Sequence, residues 1–286
     1  MTVLVTGAAG VSGTALLAIL ERSNAGDTTI HTSDLRDIPR ELHVPCDMTS
    51  PAAVLDLVRS TRPDRVYHLA GTFTNRFETD HACNVLATRA LLEAIRAEVP
   101  RCRVLLVGSA AEYGLVAPGQ SPVGESHPLR PVSVYGLTKV MQTSLMTYYC
   151  AAFNLDIVLA RTFNLKGRGL SPSLLPGRLD REIERLTRGE IELIEVGSLD
   201  GRRDFISVED AAALYVRIAD HGLRGETYNV ASGEPIGLRE YVGARLAEDG
   251  LPPTAFREGA RHDFVGKSAN VHEIWADVRK VHSLPG

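Results

Sequence analysis

Thr6-Gly7-Ala8-Ala9-Gly10-Val11-Ser12-Gly13 follows the run Thr2-Val3-Leu4-Val5 and precedes Ala15-Leu16-Leu17-Ala18-Ile19-Leu20. The leading run is apolar and β-branched, which suits a buried strand, and the trailing run continues as an apolar helix. Strand, glycine turn and helix in that order are the context in which such a motif cradles a dinucleotide. Gly7 permits the tight turn, Gly10 lets backbone approach a pyrophosphate, and Gly13 lets the helix pack on the strand. Val11 opens the helix, whose first N–H groups and partial positive charge face the phosphates. A plain structural turn can carry the same glycines, so the flanking elements decide the reading.

A second strand is expected at Thr28-Thr29-Ile30-His31-Thr32, ending in Ser33-Asp34. An acidic residue about 20 positions after the last glycine bonds the ribose hydroxyls of NAD and repels a 2′-phosphate. Asp34 therefore favours NAD(H), while Arg36 can pair with a 2′-phosphate and keeps NADP(H) open. Asp47 has two readings: an acceptor for the adenine amino group, or a cap for a helix over 51–60.

The chain has 286 residues, 44% hydrophobic and 23% charged, enough for a substantial core. A net charge of -4 gives no electrostatic case for nucleic acid or an anionic membrane. Cys46, Cys83, Cys102 and Cys150 have no metal-ligand spacing, no metal is expected, and their usage suits a reducing compartment. No apolar run reaches spanning length, and the glycine motif starts too near Met1 for a targeting segment, so a cytoplasmic protein is expected.

Short apolar runs at 65–70, 103–108 and 156–160 alternate with helical spacing at 82–97 and 135–152. Repeated β-α-β units mean an α/β fold, a Rossmann-type doubly wound parallel sheet with ligands at the strands' C-terminal ends. Residues 1–165 are read as the dinucleotide domain, with 205–232 returning to it. Residues 166–286 are read as a smaller, interleaved substrate lobe, irregular over 166–204 and 250–286.

Tyr135 and Lys139 stand four residues apart, on one helix face. The ammonium is expected to lower the phenol's pKa, so that the hydroxyl can exchange a proton near neutral pH. Ser109, at the end of the 103–108 strand, can hydrogen-bond a substrate carbonyl. A surface helix and a turn residue are the bland readings, but the order behind a nucleotide motif favours chemistry.

These residues resemble the extended short-chain dehydrogenase/reductases that act on nucleotide sugars, the NAD-dependent epimerase/dehydratase family. The matching stretches are Thr6–Gly13, His68-Leu69-Ala70-Gly71, Ser109 through Tyr113-Gly114, Tyr135 with Lys139, and Arg161-Thr162-Phe163-Asn164. Arg203-Asp204-Phe205, Val208-Glu209-Asp210 and Tyr228-Asn229-Val230-Ala231-Ser232-Gly233 continue it in the family's order. The resemblance implies Leu69 and Ala70 beside the cofactor, Lys139 on the nicotinamide ribose, and a homodimer built partly on the Tyr135 helix. It further implies that Asn164 holds the sugar nucleotide and Arg203 its diphosphate or ribose. A loop cap and a surface salt bridge are the respective alternatives, and Arg261 is a candidate second diphosphate contact.

Within the family, dehydratases carry a glutamate two residues before the equivalent of Tyr113, and 3,5-epimerase-reductases a cysteine. Ala111 stands there, and an alanine cannot move protons. Ser109, Tyr135 and Lys139 remain, the minimum for passing one hydride and one proton across a carbonyl. Within the family the chain resembles GDP-4-keto-6-deoxy-mannose reductases, departing at Ala110, Ala111 and Asp34 and stopping at Leu284-Pro285-Gly286, short of the usual final helical segment. A 4-epimerase with retained NAD needs the same three residues, and a non-catalytic NAD-binding scaffold is the distant alternative. Glu112 is read either as an auxiliary acid or sugar-hydroxyl acceptor, or as a solvent-facing loop carboxylate, and His68 as a structural histidine.

Overall fold

Val3, Leu4 and Val5 have no solvent exposure, and Thr2–Thr6 around them forms β1 at the heart of the sheet. The structure is a computed structural model that describes residues 1–23, 28–259 and 273–285. After β1 come α1 (Val11–Arg22), β2 (Thr29–Ser33), α2 (Pro51–Thr61) and β3 (Arg65–His68). A short α3 (Phe77–Asp80) passes through a π-helical stretch, His81–Leu86, into α4 (Ala87–Glu98). Then follow β4 (Arg103–Ser109), a 3-10 turn at Ala110–Glu112, α5 (Val134–Phe153) and β5 (Asp156–Thr162).

The second half is built from shorter elements: β6 (Asn164–Lys166), α6 (Leu175–Thr187), β7 (Ile194–Val196), β8 (Arg202–Ser207) and α7 (Val208–His221). It ends in β9 (Thr227–Val230), β10 (Pro235–Gly237), α8 (Leu238–Glu248), β11 (Phe256–Glu258), β12 (Glu273–Ile274) and α9 (Arg279–His282). The described parts of the stretches expected to be irregular thus carry regular elements: the 13-residue α6, and strands such as β7, β11 and β12 of two or three residues, too short for an alternating signal to show.

Six strands pair in parallel in the order β2-β1-β3-β4-β5-β9. Buried on both faces, they read as continuous apolar runs, as parallel strands do. Alternation sorts their side chains. Leu4, Val66, Val104, Leu106, Ile157 and Leu159 join the core on one face with Leu57 of α2, Leu91 of α4 and Met146 of α5. Val3, Val5, Tyr67, Leu105, Val158 and Ala160 join the opposite core with Leu16 of α1 and Tyr215 of α7. Val281 of α9 enters that second core, so the end of the described chain packs back on the sheet.

From β1 the chain goes to β2 on one side and reaches β3 on the other, which opens a crevice at their C-terminal ends. Thr6 is in register with Ser33 and with His68, so the glycine turn, Asp34 and Leu69 emerge together at that edge.

Beside the sheet lies a second layer in which β8 pairs with β10, β12 and β6. Its core gathers Leu179 and Ile183 of α6, Val196, Phe205 and Tyr241, with the last two rings stacked 4.1 Å apart. The buried Asp204 carboxylate fixes this layer by accepting N–H bonds from Ser232 at 2.8 Å, Gly233 at 2.9 Å and Ala276 at 3.2 Å. Among the described residues no helix is long and apolar enough to cross a membrane, and no group of three His, Cys, Asp or Glu is placed to hold a metal.

Candidate active site

The glycine turn has the shape a dinucleotide needs. Gly7 sits at φ 71°, and a Cβ there would lie 2.6 Å from the Ala70 nitrogen and 2.8 Å from the Leu69 carbonyl carbon. The turn therefore backs directly onto the residues that leave β3. A Cβ on Gly13 would come within 2.5 Å of the Gly7 oxygen, so this glycine seats α1 on the turn. Gly10 is the N-cap and supplies no side-chain cap, with Val11 the first helical residue. The helix start is thereby left to an anion. These residues fit an NAD(P) pyrophosphate.

Asp34 follows β2, where its Oδ2 accepts from the Ala9 N–H and its Oδ1 from the Arg36 N–H, both at 3.0 Å. The carboxylate thus braces the glycine turn from the position that reads the ribose in such folds. The exposed Arg36 guanidinium lies 3.5 Å from Oδ1, beside a groove of about 710 Å³ that Ala8, Ala9 and Thr14 help to line. Asp47 is not a helix cap: Ser50 caps α2. The exposed Asp47 carboxylate accepts from the Thr49 hydroxyl at 2.7 Å and its N–H at 2.9 Å, bonds that hold its pKa below the ordinary value.

Tyr135 and Lys139 occupy the first turns of α5, which Ser133 caps. The Asn75 side-chain oxygen accepts from the Tyr135 N–H at 3.2 Å, and Phe73 packs edge-on against the Tyr135 ring at 4.9 Å. The buried Asp80 carboxylate shapes that loop, accepting from Thr72, from the N–H and hydroxyl of Thr74, and from the Asn75 N–H. Lys139 is buried and donates to the Val107 carbonyl at 2.8 Å and to the Gln142 side chain at 3.0 Å. A Cβ on Gly71 would lie 3.7 Å from its Nζ, which sets the ammonium beside the wall that backs the glycine turn.

The expected acidification of the phenol does not occur. Burial pushes the Tyr135 pKa up to about 12, against which a hydrogen bond with Ser109 acts, while Glu112 and Asp80 add to the rise. Lys139 lies over the ring, 5.8 Å from its centroid, and is committed to other acceptors. Burial draws the Lys139 pKa down to about 8, and the charges of Glu112 and Asp80 oppose that fall. Helical spacing correctly places the two groups together, but desolvation of the phenolate outweighs the nearby cation.

Glu112 neither faces solvent nor is open to a sugar, contrary to both readings of its sequence position. It is fully buried and closes a capping box with Ser109. Its Oε1 accepts from the Ser109 N–H at 2.8 Å, and its Oε2 accepts from Thr143 at 2.7 Å and Arg161 Nε at 3.1 Å. Arg161 continues to Tyr113, whose hydroxyl donates to Asn229 at 2.7 Å. Ser109 and Glu112 have the local spacing of a capping box, but the rest of this polar wall left no local signal, because its partners lie 49 and 116 residues apart in sequence.

In the second layer, Asn164 is exposed at the start of β6 and donates to the Asp204 carbonyl at 3.0 Å. Arg203 lies on β8 between Ile236 and Ile274 in register, and burial lowers its pKa. Arg261 lies outside the described residues.

Residues 3–231 match the NAD dependent epimerase/dehydratase family, and the chain belongs to it. Its members use NAD(P) for oxidation and reduction, the chemistry for which the glycine cradle and the Ser109, Tyr135 and Lys139 group are suited. The chain is 31% identical to GDP-6-deoxy-D-mannose reductase of Pseudomonas aeruginosa, over 79% of this chain and 78% of that one. It is 29% identical to GDP-6-deoxy-D-talose 4-dehydrogenase of Aggregatibacter actinomycetemcomitans, over 82% of this chain and 75% of that one. The solved structure of RMD from Pseudomonas aeruginosa complexed with NADPH superposes with a TM-score of 0.81 at 27% identity, covering 99% of this chain and 91% of that one.

Proposed function

We propose that the chain reduces the C4 keto group of a nucleotide-linked 4-keto-6-deoxy sugar, with GDP-4-keto-6-deoxy-mannose as substrate and GDP-rhamnose as product. The observation that carries this reading is the geometry of the reacting group: the Tyr135 hydroxyl is hydrogen-bonded to Ser109, Lys139 lies over its ring, and Ala111 offers no further acid or base. Burial raises the Tyr135 pKa and so favours its neutral, protonated form. A neutral phenol is the form that donates to a developing alkoxide.

NAD(P)H, when bound, supplies the hydride that makes the new C4–H bond as the carbonyl π bond breaks. Tyr135 gives its proton to the oxygen that becomes the C4 hydroxyl, and Ser109 hydrogen-bonds the same oxygen and fixes the face presented. The phenolate left on Tyr135 has the Lys139 ammonium over its ring and recovers its proton from solvent. No further acid or base is assigned. Ala111 has none to offer, and Glu112 and Asp80 are held within the protein by the bonds described above.

Gly7, Gly10, Val11, Gly13, Leu69 and Ala70 would hold the cofactor, with Asp34 favouring NADH and Arg36 admitting NADPH. Asn164 and Arg203 would hold the sugar nucleotide. The choice of GDP is supported by the two GDP-sugar relatives. A cytoplasmic homodimer is part of the proposal, supported by the exposed apolar side chains Leu137, Tyr148 and Phe153 on the Tyr135 helix.

The test is NADH oxidation against a panel of GDP-, dTDP-, UDP- and CDP-linked 4-keto-6-deoxy sugars. Turnover with the GDP compound supports the reading. Tightly retained NAD, with interconversion of C4 epimers and no net loss of NADH, would replace it with a 4-epimerase.

A further inference from the structure

A line of buried polar side chains runs from the residue before the glycine turn to Lys139. Thr6 bonds His68 Nδ1 at 2.8 Å, His68 Nε2 meets the Thr88 hydroxyl at 3.1 Å, Gln142 Nε2 donates to Thr88 at 2.9 Å, and Lys139 donates to Gln142 at 3.0 Å. Thr6, His68, Thr88 and Gln142 are all at most 1% exposed. We propose that Gln142 is the positioning residue for Lys139, and that Thr88, His68 and Thr6 fix its amide in the one orientation that accepts from the ammonium. This rests on the reading of Lys139 as part of the reacting group.

The direction of each bond follows from donor counting. The Thr88 hydroxyl spends its hydrogen on the Asn84 carbonyl at 2.7 Å. Its lone pairs must then accept from both Gln142 and His68. His68 accordingly carries its proton on Nε2 and accepts from the Thr6 hydroxyl through Nδ1. With its NH2 group committed to Thr88, Gln142 can turn only its carbonyl oxygen to Lys139. A flipped amide would set two donors against each other in a dry site, where an unmatched polar group is costly. Two of the three ammonium hydrogens are thus directed to fixed protein acceptors, Val107 and Gln142.

The charged and titratable groups facing Lys139 are Glu112 beyond β4, Asp80 on α3, His68 at the end of β3 and Tyr135 on its own helix. Glu112 and Asp80 favour the ammonium, His68 is neutral, and burial works against it. Removing the Gln142 acceptor leaves burial less opposed.

The chain has four lysines, Lys139, Lys166, Lys267 and Lys280, so Cε-labelled lysine gives a spectrum in which Lys139 is assignable by substitution. Gln142→Met is expected to lower the Lys139 titration midpoint by about one unit, the equivalent of one hydrogen bond to a charged group. Gln142→Glu places a carboxylate at the same distance and is expected to raise it by about 1–3 units. Thr88→Val, which loosens the amide, is expected to lower it by less than Gln142→Met does. Opposite shifts in the two Gln142 variants support the proposal, and an unmoved midpoint in the glutamate variant overturns it even where the methionine variant fails to fold. The titration needs no sugar substrate. A chain inert toward every 4-keto sugar would therefore defeat the proposed reaction without touching this result.

Discussion

Glu112 and Arg161 form an ion pair with side chains 0% and 2% exposed, Arg161 Nη2 standing 3.0 Å from Oε2 directly behind the turn that carries Ser109. A pair this deep is held by its hydrogen bonds rather than by charge alone, since desolvation consumes most of the Coulombic gain. Glu112→Ala leaves a buried guanidinium uncompensated and is expected to destabilise the fold by about 3–5 kcal/mol. The double variant Glu112→Met/Arg161→Met is expected to recover much of that loss. Denaturant midpoints of the single and double variants check this, and equal losses in both would show that charge compensation is not what the pair provides.

Tyr135→Phe removes the donated proton while keeping the ring that packs on Phe73. Turnover is expected to fall by about 10²–10⁴-fold, the range for a lost general acid. NADH affinity, measured by fluorescence titration, is expected to stay within a few-fold. Turnover that survives the change removes Tyr135 from the reaction.

Asp34 touches both the glycine turn and Arg36. Asp34→Ser is expected to weaken NADH binding and raise the ratio of kcat/KM for NADPH over NADH, since the like charge facing a 2′-phosphate is gone and Arg36 is released. A ratio that does not move would show that Asp34 braces the turn without reading the ribose.

His68 is fully buried, and burial together with the Lys139 charge lowers its pKa from 6.5 to about 3. Between those values the unfolded chain binds a proton that the folded chain refuses. Stability is therefore expected to fall as pH drops below about 6.5, by up to about 1.4 kcal/mol per pH unit from this residue. Above that range its contribution is flat. Comparing denaturation of the wild type with His68→Gln at several acidic pH values isolates the slope, which should shrink in the variant.

Residues near each other in sequence announced themselves. The glycine turn, the alternation that sorts Val3 and Val5 from Leu4, and the four-residue step from Tyr135 to Lys139 all follow from local geometry. Long-range pairing did not. Glu112 looks like a loop carboxylate until Arg161 arrives from β5, and Asp47 looks like a cap until Ser50 takes that place. The sign of the Tyr135 shift is not legible in the sequence for a related reason. Spacing reports that a cation is close, but desolvation depends on the Phe73 loop and everything else packed around the phenol, and it outweighs the opposing hydrogen bond with Ser109.

The central claim is that one hydride and one proton cross the C4 carbonyl, with Tyr135 as the proton donor. Its most direct test is transfer from NADH deuterated at both C4 positions of the nicotinamide to GDP-4-keto-6-deoxy-mannose, with the product sugar read by NMR. The account predicts one deuterium at sugar C4 for each NADH consumed, with a single configuration there. Deuterium absent from C4, or solvent label entering at C3 or C5, would contradict it.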